Sequence, residues 1–262
     1  MDIGVAVKAA LDLNVLRSGP GNTVDVENIP LVISEYDRNA IYEARRLADN
    51  TGGMVYIYSF LTWWPTDRKE RDFENVIREA LALGGDEAFV VVDKASSGSE
   101  PAYTAEVLAR LIKRFGGPQL LLTGEASTDM TSSSLAPYLA GKLGYSIATF
   151  ARSIKLNGSY VLVERDLEEQ VETISIPLPA VVSVTGEINS PRLPTLLQIR
   201  KAFRKPLKKI SLYDIGMQPK IPGYKEYKLL TVKRKRVMLE GDVDEVVDKL
   251  VESLKEEGVI RP

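Results

Sequence analysis

Two rhythms of hydrophobic placement alternate through the first 145 or so residues. Short apolar runs at residues 3–7, 54–61, 88–92 and 119–123 have the length and the β-branched or aromatic content of buried strands. Between and after them, apolar residues recur at helical spacing: Ala40, Ile41, Ala44, Leu47 and Ala48; then Phe73, Val76, Ile77, Ala80 and Leu81; then Val107, Leu108, Leu111, Ile112 and Phe115; then Leu135, Leu139 and Leu143. On the first of these helices Asp37, Arg38, Glu43, Arg45 and Asp49 are expected to face away from the core. Ser34 with Asp37 three residues on approximates a capping box, and Gly52-Gly53 supplies the stop. Four strand-then-helix units imply a parallel sheet covered by helices on both faces.

Beyond residue 146 the alternation stops. Residues 147–156 and 159–165 flank Asn157-Gly158, a strong hairpin signal. Residues 171–176 and 180–185 are expected to extend this antiparallel β region. A segment punctuated by Asn189, Pro191, Arg192 and Pro194 leads into a short helix at about 195–203. The chain thus reads as α/β: a Rossmann-like doubly wound sheet with an antiparallel extension in a domain over residues 1–210, then an arm over 211–262. In the arm, residues 227–232 look like a strand, and Val243, Val246, Val247, Leu250, Val251 and Leu254 line one face of a helix. That stripe suits docking on a partner or packing on the chain's own core.

Composition narrows the chemistry. The 262 residues are 44% hydrophobic and 27% charged, so a sizeable core is affordable, and a net charge of −2 gives no overall pull toward nucleic acid or anionic membrane. Cysteine and histidine are both absent. Ser-His-Asp triads, thiol enzymes, the usual zinc sites and disulfides are therefore excluded. The amino-terminal segment is broken by Asp2, Lys8 and Asp12, and no run approaches the ~18 apolar residues of a membrane span. The expectation is a cytoplasmic protein that is not membrane-embedded.

In open α/β sheets ligands bind beyond the carboxyl ends of the strands. The most suggestive segment there is the loop from Thr123 to Ser134, whose small hydroxyl residues at a helix start suit an anion cradle or, more blandly, a polar surface loop. Glu125 and Asp129 would repel a phosphate, so at least one should cap the helix or face solvent. Two basic runs, one from Arg200 to Lys209 and one from Lys233 to Arg236, are read as solvated helix end and strand edge rather than a nucleic-acid surface. Arg165 and Arg192 suit ordinary ion pairs, and Trp63-Trp64 a core or interface role.

Leu178-Pro179-Ala180-Val181-Val182-Ser183-Val184, then Asn189-Ser190-Pro191-Arg192-Leu193-Pro194-Thr195-Leu196 and Ile199-Arg200-Lys201-Ala202, resemble the signature of the electron transfer flavoprotein beta subunit. Val7-Lys8, the segment from Ala80 to Ala88, Val163-Glu164-Arg165-Asp166 and the Glu256-to-Ile260 terminus extend the resemblance over essentially the whole chain. It implies an electron-carrying subunit without turnover of its own. Such a subunit pairs with an FAD-carrying alpha subunit, takes electrons from dehydrogenases and passes them to a membrane quinone oxidoreductase or ferredoxin. In its own pocket it holds AMP or, in electron-bifurcating members, a second FAD.

By the family's pattern the nucleotide contacts fall on Ala6, on Ser34, Glu35, Tyr36 and Asp37, on Phe60, and on Gly124, Glu125, Ala126, Ser127, Thr128, Asp129, Met130, Thr131, Ser132, Ser133, Ser134 and Leu135. The partner-recognition loop corresponds to Pro191, Arg192, Leu193, Pro194, Thr195 and Leu196, with Leu196 as its anchor. Arg165 is a candidate, on charge alone, for tuning the alpha-subunit flavin. Ser34-Glu35 replaces the usual Asn-Pro, and Ala136-Pro137 with Leu143-Gly144 lies nearer the bifurcating type. A nucleotide-binding regulatory module of the stress-protein type, homodimeric and without flavin, is the alternative from another class.

Overall fold

A run of four consecutive buried residues, Ile3–Ala6 (β1), forms the middle of the sheet, paired in parallel on both sides. The computed structural model describes residues 1–63, 67–93, 100–220, 227–230 and 234–260. In chain order follow β2 (Ala9–Leu11), β3 (Leu31–Ile33), α1 (Glu35–Thr51), β4 (Val55–Phe60), α2 (Asp67–Leu83), β5 (Glu87–Val91), α3 (Pro101–Arg114), β6 (Leu120–Gly124) and α4 (Leu135–Leu143). After these come β7 (Ser146–Asn157), β8 (Tyr160–Asp166), β9 (Val171–Pro177), β10 (Ala180–Val184), α5 (Leu196–Ala202), β11 (Leu207–Ile210) and α6 (Val243–Glu256). The main sheet runs β11-β5-β4-β1-β6-β10-β7-β8-β9, while β2 and β3 form a separate antiparallel pair.

From β11 to β7 the strands are parallel, and one apolar core lies on each face. Residues of α1 and α2 build the first core, and those of α3 and α4 the second. The chain winds from β1 through β4 to β5, then crosses back to place β6 on the other side of β1. The loops leaving β1 and β6 therefore diverge, and that divergence opens the crevice in which such sheets bind ligands.

The β region departs from the sequence expectation at one strand. β10 does not extend the antiparallel part; it lies parallel between β6 and β7, with all five residues buried. Its unbroken Ala-Val-Val-Ser-Val run has the character of a strand covered on both faces, whereas β9 alternates exposed and half-buried residues as a one-sided antiparallel strand does. β7 serves both regimes, parallel to β10 in its first half and antiparallel to β8 in its second. The change falls at a bulge where Phe150 takes φ 58° and its N–H donates to Ser183 Oγ at 3.2 Å.

At the opposite edge β11 adds a strand that the basic character of its sequence concealed. Its lysines are used internally: Lys208 pairs with Glu87 at 2.7 Å, and Lys209 with Glu70 and Glu74, each at 3.1 Å. Lys205 donates to the carbonyls of Leu81 and Gly85 just beyond and at the end of α2, where cations favour the helix dipole. The run from Arg200 to Lys209 thus ends α5 and then forms an edge strand, and its lysines are paired within the protein rather than simply solvated.

The chain divides into two compact units, Met1–Lys228 and Leu229–Pro262. In the second, α6 is capped by Asp242, whose carboxylate accepts the Glu245 N–H at 3.0 Å, and no residue of the helix is buried. Of the strand-like stretch at 227–232, Lys228 forms an isolated bridge with Thr23. Residues 231 and 232 lie outside the described residues, as do Trp64 and Lys233.

Candidate functional site

α1 begins where β3 brings the chain back beside the end of β1, with the Ser34 N–H donating to the Lys8 carbonyl at 3.2 Å. Ser34 occupies the N-cap position, yet its hydroxyl makes no cap bond, contrary to the capping-box expectation. It accepts the Thr128 N–H at 3.3 Å and lies 3.4 Å from the Ala126 carbonyl, fastening the helix start to the loop after β6. Asp37 likewise turns inward instead of facing solvent. Its buried carboxylate accepts the Lys8 N–H at 2.7 Å and the Gly124 N–H at 3.0 Å, bridging the carboxyl ends of β1 and β6.

That bridge fixes the identity of residue 124. A Cβ on Gly124 would lie 2.6 Å from Asp37 Oδ1 and 2.7 Å from Tyr36 Cβ, so only glycine lets α1 approach the strand end this closely. Asp129 is the second inward carboxylate. One oxygen takes Lys8 Nζ at 2.7 Å; the other accepts Trp63 Nε1 at 2.8 Å and the Leu11 N–H at 3.1 Å. Lys8 Nζ also donates to Ser127 Oγ at 3.1 Å. The expectation that Glu125 or Asp129 would cap the helix or reach solvent fails for Asp129, because a buried lysine requires a buried counter-charge. Glu125 hydrogen-bonds Tyr36 instead.

Burial is the largest influence on both members of this network. It pushes the Lys8 ammonium down, against the pull of Asp129 and Asp37, and pushes Asp37 up to about 7, against its two amide donors and the Lys8 charge. Tyr36 and Glu125 are both raised, again by burial first, then for Tyr36 by the Glu125 charge and for Glu125 by Glu187.

Above the network lies a cleft that opens to solvent. It is narrow, since a water-sized sphere can centre itself in only about 60 Å³ of it. Val7, Phe60, Pro101, Leu108 and Leu135 supply apolar walls, and Ser127, Ser132, Ser133 and Ser134 supply hydroxyls. Thr131 and Ser133 hold φ of 43° and 46°, which turns this loop sharply before α4. Of the residues singled out from sequence, Asp37, Phe60, Gly124, Glu125, Ala126, Ser127, Met130, Ser132, Ser133, Ser134 and Leu135 line the cleft. Ser34 and Asp129 stand behind its wall, and Glu35 and Tyr36 open onto a neighbouring polar groove with Arg38 and Arg192. Lys8, Thr62, Pro101 and Thr104 line it without having been singled out; a lone lysine closing a buried strand was the available signal for the first.

The segment from Pro191 to Leu196, expected to recognise a partner, lies outside the cleft lining. Asn189 anchors its root: the Asn39 amide donates to the Asn189 carbonyl at 2.9 Å, and Asn189 returns a bond to the Asn39 carbonyl at 3.1 Å. Glu43, also expected outside, is buried beside this pair and held by Arg46. Beyond the anchor Leu193 and Leu196 are 79% and 86% exposed, and a capping box of Thr195 with Gln198 starts α5. Arg165, on β8, is spoken for by Glu172 at 2.7 Å and by the Thr149 carbonyl and hydroxyl at 2.9 and 3.1 Å. Trp63 is a buried core residue.

A family profile described as Electron transfer flavoprotein domain matches residues 22–215. The curated electron transfer flavoprotein subunit beta of Thermoanaerobacterium thermosaccharolyticum is 30% identical over 269 residues, covering 99% of this chain and all of that one. The chain belongs to the electron transfer flavoprotein beta-subunit family. Membership implies electron transfer and an alpha-subunit partner, and FAD is the family's general cofactor. Among the described residues no helix is long and apolar enough to cross a membrane, and no acidic cluster suits a metal ion.

Two outcomes follow for the electron transfer flavoprotein fold. Asp129→Asn strands the buried Lys8 ammonium and should cost about 3 kcal/mol in urea unfolding, whereas adding Lys8→Met should recover most of the loss. In the unfolded chain Asp37 titrates near ~3.9, so between about pH 4 and 7 the folded state binds more protons. Asp37's contribution is therefore complete at low pH and lost as pH rises through about 7. Urea midpoints across that window should fall more steeply with pH in the wild type than in Asp37→Asn; identical slopes would refute the assignment.

Proposed function

We propose that this chain is the beta subunit of an electron transfer flavoprotein heterodimer and that its cleft holds an adenine nucleotide, AMP or FAD. One observation carries the reading: the carboxylates near the cleft are engaged by the protein itself, Asp37 by two amides, Asp129 by Lys8, Trp63 and Leu11, and Glu125 by Tyr36. What faces the cleft instead is a serine loop beside apolar walls, a donor set that fits a phosphate next to a flat heterocycle. When bound, flavin supplies the redox chemistry, which suits a chain with neither histidine nor cysteine. The protein's residues bind and orient.

In this proposal the nucleotide-side contacts are those expected at Ala6, residues 34–37, Phe60 and residues 124–135. The alpha subunit brings its own FAD, with α6 docking on it, and Arg165 is the candidate for tuning that flavin through its pair with Glu172. Dehydrogenases donate electrons through the exposed loop from Pro191 to Leu196. The acceptor is a membrane quinone oxidoreductase or a ferredoxin, the latter by bifurcation. The exposure of Leu196 on a firmly anchored loop supports an apolar plug, since the anchoring removes the ordering cost of docking.

Co-expression with a cognate alpha subunit should yield a yellow heterodimer that releases two adenine nucleotides on denaturation, identified by mass spectrometry as two FAD or as one FAD and one AMP. A colourless homodimer would favour the regulatory module instead. Leu196→Ala should raise the KM for a reduced dehydrogenase about 30-fold, equivalent to losing a buried anchor of ~2 kcal/mol, with nucleotide content unchanged. An unaltered KM removes the plug.

A further inference from the structure

Among the described residues, five buried side-chain polar atoms lack a hydrogen-bond partner, and two of them, Thr62 Oγ1 and Thr104 Oγ1, belong to residues lining the same cleft. Thr62 is only 2% exposed. Thr104 sits in the first turn of α3, where a threonine hydroxyl can reach back to the carbonyl four residues earlier. Here the Glu100 carbonyl takes only the Thr104 N–H, at 3.0 Å. A buried hydroxyl without a partner costs about 1–3 kcal/mol, and two converging on one cleft are a cost that a ligand would relieve.

Their position suggests which part of the ligand. The serine hydroxyls belong to the loop after β6, whereas Thr62 follows β4 and Thr104 lies on α3, which packs against β4. Phe60, Pro101 and Leu108, from the same strand exit and helix, line the cleft with them. If phosphate lies at the serine loop, the wall built by β4 and α3 is left for the rest of the ligand, and it combines apolar side chains with two hydroxyls, each able to donate and accept. That combination fits the edge of a heterocyclic base whose amino group donates and whose ring nitrogens accept.

We propose that Thr62 and Thr104 are base-contacting residues whose unmet hydroxyls are satisfied by the polar edge of a bound adenine ring. The assignment rests on the nucleotide reading of the cleft.

The test uses the heterodimer after removal of its nucleotide, with AMP as the probe in calorimetric titration. Thr62→Val and Thr104→Val should each weaken AMP binding about tenfold, the loss of one hydrogen bond of ~1.4 kcal/mol. In the nucleotide-free protein the same changes remove an unsatisfied polar atom, so the thermal midpoint should stay level or rise. Thr62→Ser and Thr104→Ser should restore binding. Wild-type affinity in both valine variants would overturn the assignment while leaving the nucleotide site standing. A valine variant that lowers the nucleotide-free midpoint, with no rescue by serine, would also overturn it, by marking the hydroxyls as structural. Failure of the wild type to bind AMP would sink the site itself, and the two threonine contacts with it.

Discussion

Lys8 sits at the point where the central strand runs out, and its ammonium is held within the protein by Asp129 and Ser127 while its backbone N–H is held by Asp37. A cation placed there destabilises the fold unless its counter-charge comes with it. Asp129 lies on the loop after β6, 121 residues along the chain, so satisfying Lys8 also pins that loop. Trp63, on the loop after β4, hydrogen-bonds the same carboxylate. One ion pair thus ties together the exits of three neighbouring parallel strands, and the shape of the cleft above them depends on it.

The consequence for function is one of sign. A crevice at the carboxyl ends of parallel strands is a common place to bind a nucleotide, but one lined by free aspartates would reject an anion. Here Asp37 and Asp129 are engaged by internal partners, and the lining is otherwise mostly hydroxyls and hydrocarbon, with Lys8 and Glu125. Glu125 is the remaining acid in the lining; burial and Glu187 raise it toward its neutral form, and Tyr36 shares its charge. A phosphate in the proposed site would meet acids already neutralised rather than an excess of positive charge.

Much of the fold was legible because burial imposes periodicity. The four strand-helix units, the Asn157-Gly158 hairpin and the glycine stop after α1 all follow from patterns that local physics dictates. The misreadings share a cause. Ser34, Asp37 and Glu43 have the residue types of caps and solvated faces, and each was assigned by its neighbours along the chain. Their partners are more than 90 residues away for Ser34, 87 for the Asp37–Gly124 bond, and across the Asn189 anchor for Glu43. β10 was misplaced because strand direction in a sheet is set by tertiary packing, although its unbroken apolar run distinguished it from β9. Lys8 is marked only as a lone lysine closing a buried strand, and the two cleft threonines carry no periodic or motif signal; a single polar residue beside a strand acquires meaning only when the other walls are in place.

Helix α1 links the two surfaces on which an electron carrier of this kind depends. Its first turn, through Asp37, is bonded to the floor of the cleft; Asn39, two residues on, and Glu43, six residues on, hold the root of the loop bearing Leu196. A helix rises 1.5 Å per residue, so the six steps from Asp37 to Glu43 set these two attachments about 9 Å apart along a rigid axis. Each attachment is made by a buried polar group whose partner would otherwise be left unsatisfied, so neither can slip without a cost of a few kcal/mol. The polar residues that a helical wheel assigns to solvent are thus the ones that fix the separation between the cleft and the loop bearing Leu196.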